Sequence, residues 1–247
     1  MIPRRGGILR RDHRPYFVKK LYRKFERFYV RRFLRPQFDH LGKGAVFMKP
    51  WHVEVFGASV ELGSYATVIA APDRKVRFAV WSERNESGII RVGNYCLICP
   101  GVRIGAAKEV SIGDNCMIAS GAYITDSDWH GIYNRVSMGT AEPVRLGENV
   151  WIGDQAIVCK GVEIGDNSII GAGSVVTKSV PPDSVAAGNP ARVVKQLDPN
   201  EKMVKRSQWL SDPVKLSGEF DQWDREVLEG NTVLHWMRHV FFPRKGD

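Results

Sequence analysis

The sequence predicts a mainly β fold, a parallel β-helix with helices at both ends, and three observations predict it. Aliphatic side chains recur at every sixth residue through the middle of the chain. A stretch without Gly or Pro, from about residue 16 to 35, places aromatic residues on one helical face and Lys/Arg on the other. Beyond residue 195 the pattern changes to helical segments rich in aromatic residues. The chain therefore divides into a basic helical arm (1–40), a β-helix (41–195) and a C-terminal helical segment (196–247).

The six-residue period defines the β-helix. It fits neither an amphipathic helix nor a hairpin array, but it fits short strands joined by tight turns. Every sixth side chain then stacks in the interior, three hexapeptides complete one three-sided turn, and the turns require small residues or Gly. Two excursions interrupt the coil, at 71–88 and at 125–145. The repeating aliphatic residues, with one two-residue slip after Ile104 and one long break after Ile124, are Val92, Ile98, Ile104, Ile112, Ile118, Ile124, Leu146, Ile152, Val158, Ile164, Ile170 and Val176.

The basic arm holds the charge excess. The chain carries a net charge of +9, but residues 1–36 alone carry +11 and the remaining 211 residues carry −2. Aromatic residues opposite Lys/Arg are typical of a helix lying in an anionic membrane interface, here through residues 16–35. The alternative is a helix that packs its aromatic face on the body or on a neighbouring subunit and leaves its basic face solvated. Nucleic acid is the least favoured partner of the basic arm, because no nucleic-acid-binding motif accompanies the charge.

Composition predicts a cytoplasmic protein, with the arm offering a peripheral attachment to the inner face of the cell membrane. Hydrophobic residues make up 43% of the chain, and no run approaches the ~18 apolar residues of a membrane span. No apolar stretch of a secretory signal follows the basic N-terminal residues. Four cysteines are too few for a disulfide framework in a chain of this length.

The last turns of the repeat contain a distinctive run of motifs. They are 150–154 (VWIGD), 161–168 (GVEIGDNS), 171–178 (GAGSVVTK), 180–183 (VPPD) and 187–192 (AGNPAR). These motifs resemble the hexapeptide-repeat acyltransferases, and the tail resembles the maltose and galactoside O-acetyltransferase branch. The resemblance implies a left-handed parallel β-helix, a homotrimer with active sites between subunits, and acetyl-CoA as the acyl donor.

The second excursion carries the candidate catalytic residue. His130 is the only histidine between residues 53 and 234. Acyl transfer to a hydroxyl needs a general base with a pKa near neutral, and histidine suits this role. The resemblance places the family's catalytic histidine at the same point, although a surface loop histidine is the alternative. Asp126 and Asp128 are candidates to orient the imidazole. The candidate acceptor-binding residues are Trp129, Tyr133 and Asn134.

The donor side is predicted at the end of the coil. Small residues there let backbone groups approach the pantetheine arm of coenzyme A, and basic residues there meet its phosphates. The resemblance matches Ala172, Thr177 and Arg192 to donor-site positions of the family, although repeat packing or a solvated face explains such residues equally. The other candidate donor residues are Trp151, Gly153, Gly171, Lys178 and Lys195.

The sequence departs from the galactoside branch at the acceptor. Residues 99–101 (CPG) stand where that branch has an asparagine that assists at the acceptor. The identity of the acceptor therefore cannot be inferred from the galactoside branch. We predict no metal site, because the Cys96-x-x-Cys99 spacing has no second pair. A zinc-binding β-helix carbonic anhydrase would need three histidines, and only His130 and His52 are available.

The predicted function is transfer of an acetyl group from acetyl-CoA to a hydroxyl of a sugar or membrane-associated glycan, by direct attack in a ternary complex. His130 takes the hydroxyl proton. Two alternatives stay open: N-acylation of an amino sugar, which needs the same base and donor groove, and a non-enzymatic β-helix scaffold.

Overall fold

The computed structural model describes residues 12–81, 88–137 and 139–244. The basic residues of the arm before residue 12 and part of the first excursion lie outside this set. The chain divides into two compact units. Residues 26–211 form the larger unit, and residues up to 25 together with those from 212 onward form the smaller one. The predicted arm and C-terminal segment are therefore each split between the two units.

The larger unit is a three-sided parallel coil, as predicted, and each side is one sheet. The first sheet contains β1 (His40–Leu41), β4 (Val60–Leu62), β7 (Ile89–Val92), β10 (Glu109–Ile112), β13 (Val144–Leu146) and β16 (Glu163–Ile164). The second contains β2 (Val46–Met48), β5 (Thr67–Ile69), β8 (Leu97–Ile98), β11 (Met117–Ile118), β14 (Trp151–Ile152), β17 (Ile169–Ile170), β19 (Ser184–Gly188) and β20 (Ala191–Gln196). The third contains β3 (Val53–Phe56), β6 (Val76–Val80), β9 (Arg103–Ala106), β12 (Tyr123–Thr125), β15 (Ile157–Val158) and β18 (Val175–Val176).

The predicted aliphatic series is the core of this coil. All twelve residues of the series are buried, and equivalent residues of successive turns pair in register. Ile98 pairs with Ile118, which pairs with Ile152, which in turn pairs with Ile170. Each stack removes branched side chains from water, at about 25 cal/mol for each Å² of apolar surface buried. The six-residue period therefore aligns equivalent residues of successive turns, and burial of these side chains stabilises the coil.

The Gly that follows many of these aliphatics has a packing reason. A Cβ built on Gly113 would lie 2.5 Å from the backbone oxygen of Gly147 in the next turn. Side chains are therefore excluded where successive corners stack. At the neighbouring corner Asn149 and Asn167 have positive φ angles of 58° and 60°, a conformation that Asn tolerates better than most residues. The side-chain amide of Asn149 donates to that of Asn167 at 3.1 Å.

The predicted first excursion, at 71–88, is wrong in its central part. Val76, Phe78 and Val80 point inward and are almost fully buried, so β6 is a regular strand of the coil that pairs with β3 and β9. The excursion before it shrinks to a tight turn in which Ala71 and Arg74 exchange backbone hydrogen bonds. The alternation of Val, Phe and Val over 76–80 was the period-2 signal of this strand.

Helices precede and follow the coil along the chain, as predicted. α1 (Tyr16–Tyr29) continues through a π-helical turn (Val30–Leu34) and a 3-10 turn (Arg35–Gln37). Leu34 is fully buried in the core of the larger unit. A second 3-10 turn covers Pro50–His52, and α2 (Arg206–Trp209) follows the coil. In the part of the chain that the structure covers, no helix combines the length and apolar character needed to cross a membrane.

The smaller unit joins the first part of α1 to α3 (Pro213–Val227) and α4 (Val233–Phe241). Asp224 of α3 is buried, accepts a hydrogen bond from Lys19 at 2.7 Å and forms an ion pair with Arg23. A buried carboxylate requires such partners, because an unpaired charge is costly to remove from water. The alternative in which the basic face of α1 is solvated is therefore wrong for Arg23, one of the residues of that face.

The aromatic face of α1 is not the face that packs on α3. Leu21 and Phe25 of the predicted aromatic face are 58% and 52% exposed, whereas Tyr16 at the helix start donates to Asp221 of α3 at 2.5 Å. Packing of the aromatic face on the body or on a neighbouring subunit stays a prediction. Within the smaller unit, ion pairs and a tyrosine therefore hold the first part of α1 to α3.

Candidate active site

The candidate site begins where the chain leaves the coil after β12. Asp126 is fully buried there, and its carboxylate accepts three backbone N–H groups of the neighbouring turn. The donors are Ala107 at 2.7 Å, Lys108 at 2.7 Å and Glu109 at 2.6 Å. These bonds engage both oxygens, so the structure corrects the prediction that Asp126 orients His130. Asp126 instead fixes the start of the excursion to the coil.

Asp128 is the second predicted carboxylate, and it lies at the surface of the excursion. Its Oδ2 forms an ion pair with Lys160 of the next turn, and Thr140 donates to the same oxygen at 3.4 Å. Lys160 also donates to Thr140. Neither bond uses Oδ1, which leaves one oxygen of Asp128 for a further donor. The role of Asp128 in orienting the imidazole of His130 therefore stays a prediction.

His130 lies two residues after Asp128 and is exposed. The contacts of Asp126 and Asp128 do not include its imidazole. Trp129 precedes it with a φ of 61°, which turns the chain sharply between the carboxylate and the histidine. Catalytic hydrogen bonds are often absent before substrate binds. His130 is thus an accessible imidazole on a loop whose first residues are held firmly to the coil.

A row of contacts connects this loop to the outer surface of the third sheet. The indole Nε1 of Trp129 donates to the hydroxyl of Tyr123 at 3.0 Å. The guanidinium of Arg103 lies 4.4 Å from the centre of the Tyr123 ring, within the range of a cation–π contact. Trp129 is therefore held over the sheet in the described structure, and Arg103 shares that surface.

The two remaining predicted acceptor residues lie further along the loop. Tyr133 is fully exposed. Asn134 shapes the loop: its side chain accepts from the N–H of Val136 at 3.3 Å, and its carbonyl accepts from the hydroxyl of Ser137 at 2.7 Å. The structure brings neither of them into contact with His130, so their acceptor role stays a prediction.

The predicted donor residues lie on the last turns of the coil. Trp151 is 45% exposed at the start of β14, and Arg192 and Lys195 are exposed on β20, the antiparallel strand that ends the second sheet. Gly153 has a packing role, because a Cβ there would lie 2.6 Å from the backbone nitrogen of Ala172. The other predicted donor residues are Gly171, which is half-buried, and Ala172, Thr177 and Lys178, which are exposed.

The cysteines are interior residues of the coil or lie at its corners. A hydrogen bond with Cys116, together with burial, raises the pKa of the Cys96 thiol well above its usual range. Burial also raises the pKa of Cys99 and of Cys159. A raised pKa keeps these groups as unreactive thiols near neutral pH. Across residues 12–81, 88–137 and 139–244, no three His, Cys, Asp or Glu side chains are grouped to hold a metal ion.

Sequence reasoning missed Lys160 and Arg103 as neighbours of the loop. The alignment of the repeats could have predicted the position of Lys160. Val158 pairs with Ile124, so Lys160, two residues after Val158, lies beside Asp126, two residues after Ile124. Arg103 directly precedes Ile104 of the aliphatic series and so faces outward on the third sheet, which alternation along a strand predicts.

Comparison with known proteins places the chain in a family. The model of the bacterial transferase hexapeptide (six repeats) matches residues 143–178, and the model of the hexapeptide repeat of succinyl-transferase matches residues 109–126. A maltose O-acetyltransferase of Clostridium difficile 630 is 30% identical, over 74% of this chain and 85% of that one, with a TM-score of 0.38. The chain belongs to the hexapeptide-repeat transferases.

Two further likenesses concern sequence and fold. The galactoside O-acetyltransferase of Escherichia coli (strain K12) is 42% identical to this hexapeptide-repeat protein over 96 residues, which is 38% of this chain and 47% of that protein. AntD, an N-acyltransferase from Bacillus cereus solved with dTDP and 3-hydroxybutyryl-CoA, is 18% identical with a TM-score of 0.55, over 78% of this chain and 95% of that one.

These likenesses support the fold of the hexapeptide-repeat protein. The coil is the left-handed parallel β-helix of this family, as predicted. The chain spans about half the length of the curated relatives that it matches.

Proposed function

We propose that this hexapeptide-repeat protein is a coenzyme A-dependent O-acetyltransferase that acts on a sugar or glycan. The observation that carries the proposal is His130, an exposed histidine on a loop anchored by the buried carboxylate of Asp126. A scaffold without activity would not need an accessible base on a rigidly held excursion. The named relatives, a galactoside and a maltose O-acetyltransferase, favour a sugar hydroxyl as the acceptor.

His130 is proposed to act as the general base. Its imidazole removes the proton of the acceptor hydroxyl as the oxygen forms a bond to the acetyl carbonyl carbon. The bond from that carbon to sulfur breaks, and the proton passes to the departing thiolate. The free oxygen of Asp128 is proposed to stabilise the imidazolium, as a carboxylate does in a triad.

Residues of the last coil turns fit acetyl-CoA as the donor. Acetyl-CoA supplies an acetyl group already activated as a thioester. Lys178, Arg192 and Lys195 are exposed cations that suit its phosphates through charge-assisted hydrogen bonds. Trp151 offers a half-exposed ring on the same turns. We propose a homotrimer as the active form, in which donor and acceptor groups of adjacent subunits meet.

The activity itself is tested by measuring CoA release from acetyl-CoA with a panel of neutral sugars, uronic acids and sugar phosphates. We expect release well above the rate without acceptor for at least one sugar class. Release that no sugar increases, from protein that binds acetyl-CoA, would argue for another acceptor; absence of acetyl-CoA binding would contradict the proposal.

The arm is proposed to hold the enzyme at the inner face of the cell membrane, where lipid-linked glycans are acceptors. In α1, Leu21 and Phe25 are exposed on the aromatic face, and Lys20, Lys24 and Arg27 are exposed on the basic face. An apolar face together with a basic face suits a helix lying in an anionic bilayer interface, where each cation near the surface contributes about 1 kcal/mol.

Vesicle binding tests the membrane proposal. We expect the variant K20Q/K24Q/R27Q to bind phosphatidylglycerol vesicles more weakly than wild type, by about fivefold for each charge removed. The measurement is co-sedimentation, with phosphatidylcholine vesicles as the neutral reference.

A variant with the same charge change elsewhere is the control. R91Q/K108Q/R145Q removes three exposed cations from the side of the first sheet, and we expect it to sediment like wild type. Equal loss of binding in both variants would show that only net charge matters, and no loss in either would contradict the assignment to α1.

A further inference from the structure

A basic groove runs along the corner between the second and third sheets. It encloses about 530 Å³. The turn before β6 forms one wall, with Asp73 and Arg74, and two turns of the coil form its floor at Gly101 and Gly121. The other lining residues are Pro72, Lys75, Arg77, Arg103 and Gln155. All of these residues belong to the larger unit.

The floor of the groove is open because of its glycines. Gly101 and Gly121 have φ angles of 81° and 70°, which L residues avoid. A Cβ on Gly121 would lie 3.1 Å from the side chain of Gln155 and would begin to fill the space. Two stacked corners without side chains therefore leave a concave surface on an otherwise regular coil.

The charges in the groove favour an anion. Lys75 and Arg77 share one carboxylate, Glu54, each at 2.6 Å. Hydrogen bonds from Lys75 and then Arg77 lower the pKa of Glu54, against the effect of burial. In the described parts of the chain, no ion pair engages Arg74 or Arg103. Two arginines without an ion pair thus line the groove, and Asp73 is the one carboxylate among its lining residues.

The groove and the catalytic loop share the outer surface of the third sheet. Arg103 contacts Tyr123, and Tyr123 accepts the hydrogen bond from Trp129, the residue before His130. Strand β12 leads from the groove corner at Gly121 to the base of the excursion, about 13 Å at ~3.3 Å per residue. A molecule extended along this strand reaches both places.

We propose that the basic groove binds an anionic group, a carboxylate or phosphate, on the sugar acceptor, and so selects acidic or phosphorylated glycans. This proposal rests on the acetyltransferase function and names its substrate class. Arginine suits the role, because its planar guanidinium binds carboxylate or phosphate through two hydrogen bonds. None of the predicted donor residues of the same chain lines the groove, which favours the acceptor over acetyl-CoA as the source of the anion, and the affinity of R74Q/R103Q for acetyl-CoA tests this choice.

The test measures binding without acetyl transfer, so it is separate from the activity. Galacturonate, galactose 1-phosphate, galactose and acetyl-CoA are titrated separately into wild-type protein by calorimetry. We expect the two anionic sugars to bind more tightly than galactose, and high salt to weaken their binding. Binding by only one of the two anions identifies whether a carboxylate or a phosphate is recognised.

Three variants locate the anion. R74Q/R103Q should weaken binding of the anionic sugars by about tenfold or more. E54Q removes the carboxylate that competes for Lys75 and Arg77, and it should strengthen binding by up to about fivefold. The matched control R91Q/R145Q removes two exposed cations from the first sheet and should leave binding unchanged.

Three outcomes would overturn the proposal. The first is equal or undetectable binding of galactose and both anionic sugars, and the second is an equal loss in R74Q/R103Q and R91Q/R145Q. The third is a loss of acetyl-CoA affinity in R74Q/R103Q, which would assign the groove to the donor. Anion binding by a protein that releases no CoA would uphold the groove and contradict only the acetyltransferase function.

Discussion

Replacing Asp126 with Ala is expected to lower the free energy of unfolding of the larger unit by about 3 kcal/mol or more. The carboxylate is fully buried and accepts three backbone N–H groups at 2.6–2.7 Å. Hydrogen bonds to a charged group contribute about 1.5–3 kcal/mol each, and the variant leaves the three donors without their acceptor. Guanidinium denaturation followed by far-UV circular dichroism measures the change.

Asp128→Ala is the matched control for this prediction. Asp128 lies on the same excursion but is exposed, and its ion pair with Lys160 is at the surface. Surface pairs contribute about 0–1 kcal/mol, so we expect this variant to unfold close to wild type. Similar unfolding of wild type and Asp126→Ala would show that the excursion needs no anchor.

His130→Ala is expected to lower kcat for acetyl transfer by about 10²–10⁴-fold, the usual contribution of a general base. The imidazole is exposed, so its removal should leave folding intact. The KM for acetyl-CoA should change little, because the predicted donor residues lie on other turns of the coil. Initial rates of CoA release over a range of both substrates measure the two constants.

The pH dependence separates catalysis from a structural effect of this substitution. Wild-type kcat should rise with pH, because the imidazole accepts the proton only in its neutral form. The residual rate of His130→Gln should lack that rise. A variant that keeps most of the wild-type kcat and the same pH profile would show that another group is the base.

Periodicity in the sequence was enough to predict the coil. Each aliphatic of the series lies six residues from the next in a stretch, and burial of every one follows from stacking in register. The strand at 76–80 was missed because its three inward residues follow Pro72 and three charged side chains, which read as a loop. The split of the arm was missed because Asp224 lies about 200 residues from Lys19.

The site was predicted in part. The loop and its histidine could be located from the break in the period, since a histidine there is unique over a long stretch. The role of Asp126 could not be predicted, because it accepts its hydrogen bonds from residues 107–109 in the neighbouring turn. The groove was missed for the same reason: Arg74 and Arg103 meet only through the stacking of coil turns.

The central claim is that this protein transfers an acetyl group to a sugar hydroxyl, with His130 as the base. The most direct measurement is the product formed from acetyl-CoA labelled with ¹³C in the acetyl group, analysed by NMR with the sugar panel as acceptors. We predict a labelled acetyl ester, cleaved by hydroxylamine, from wild type and almost none from His130→Ala. A labelled amide, or ester formed equally by both proteins, would contradict the claim.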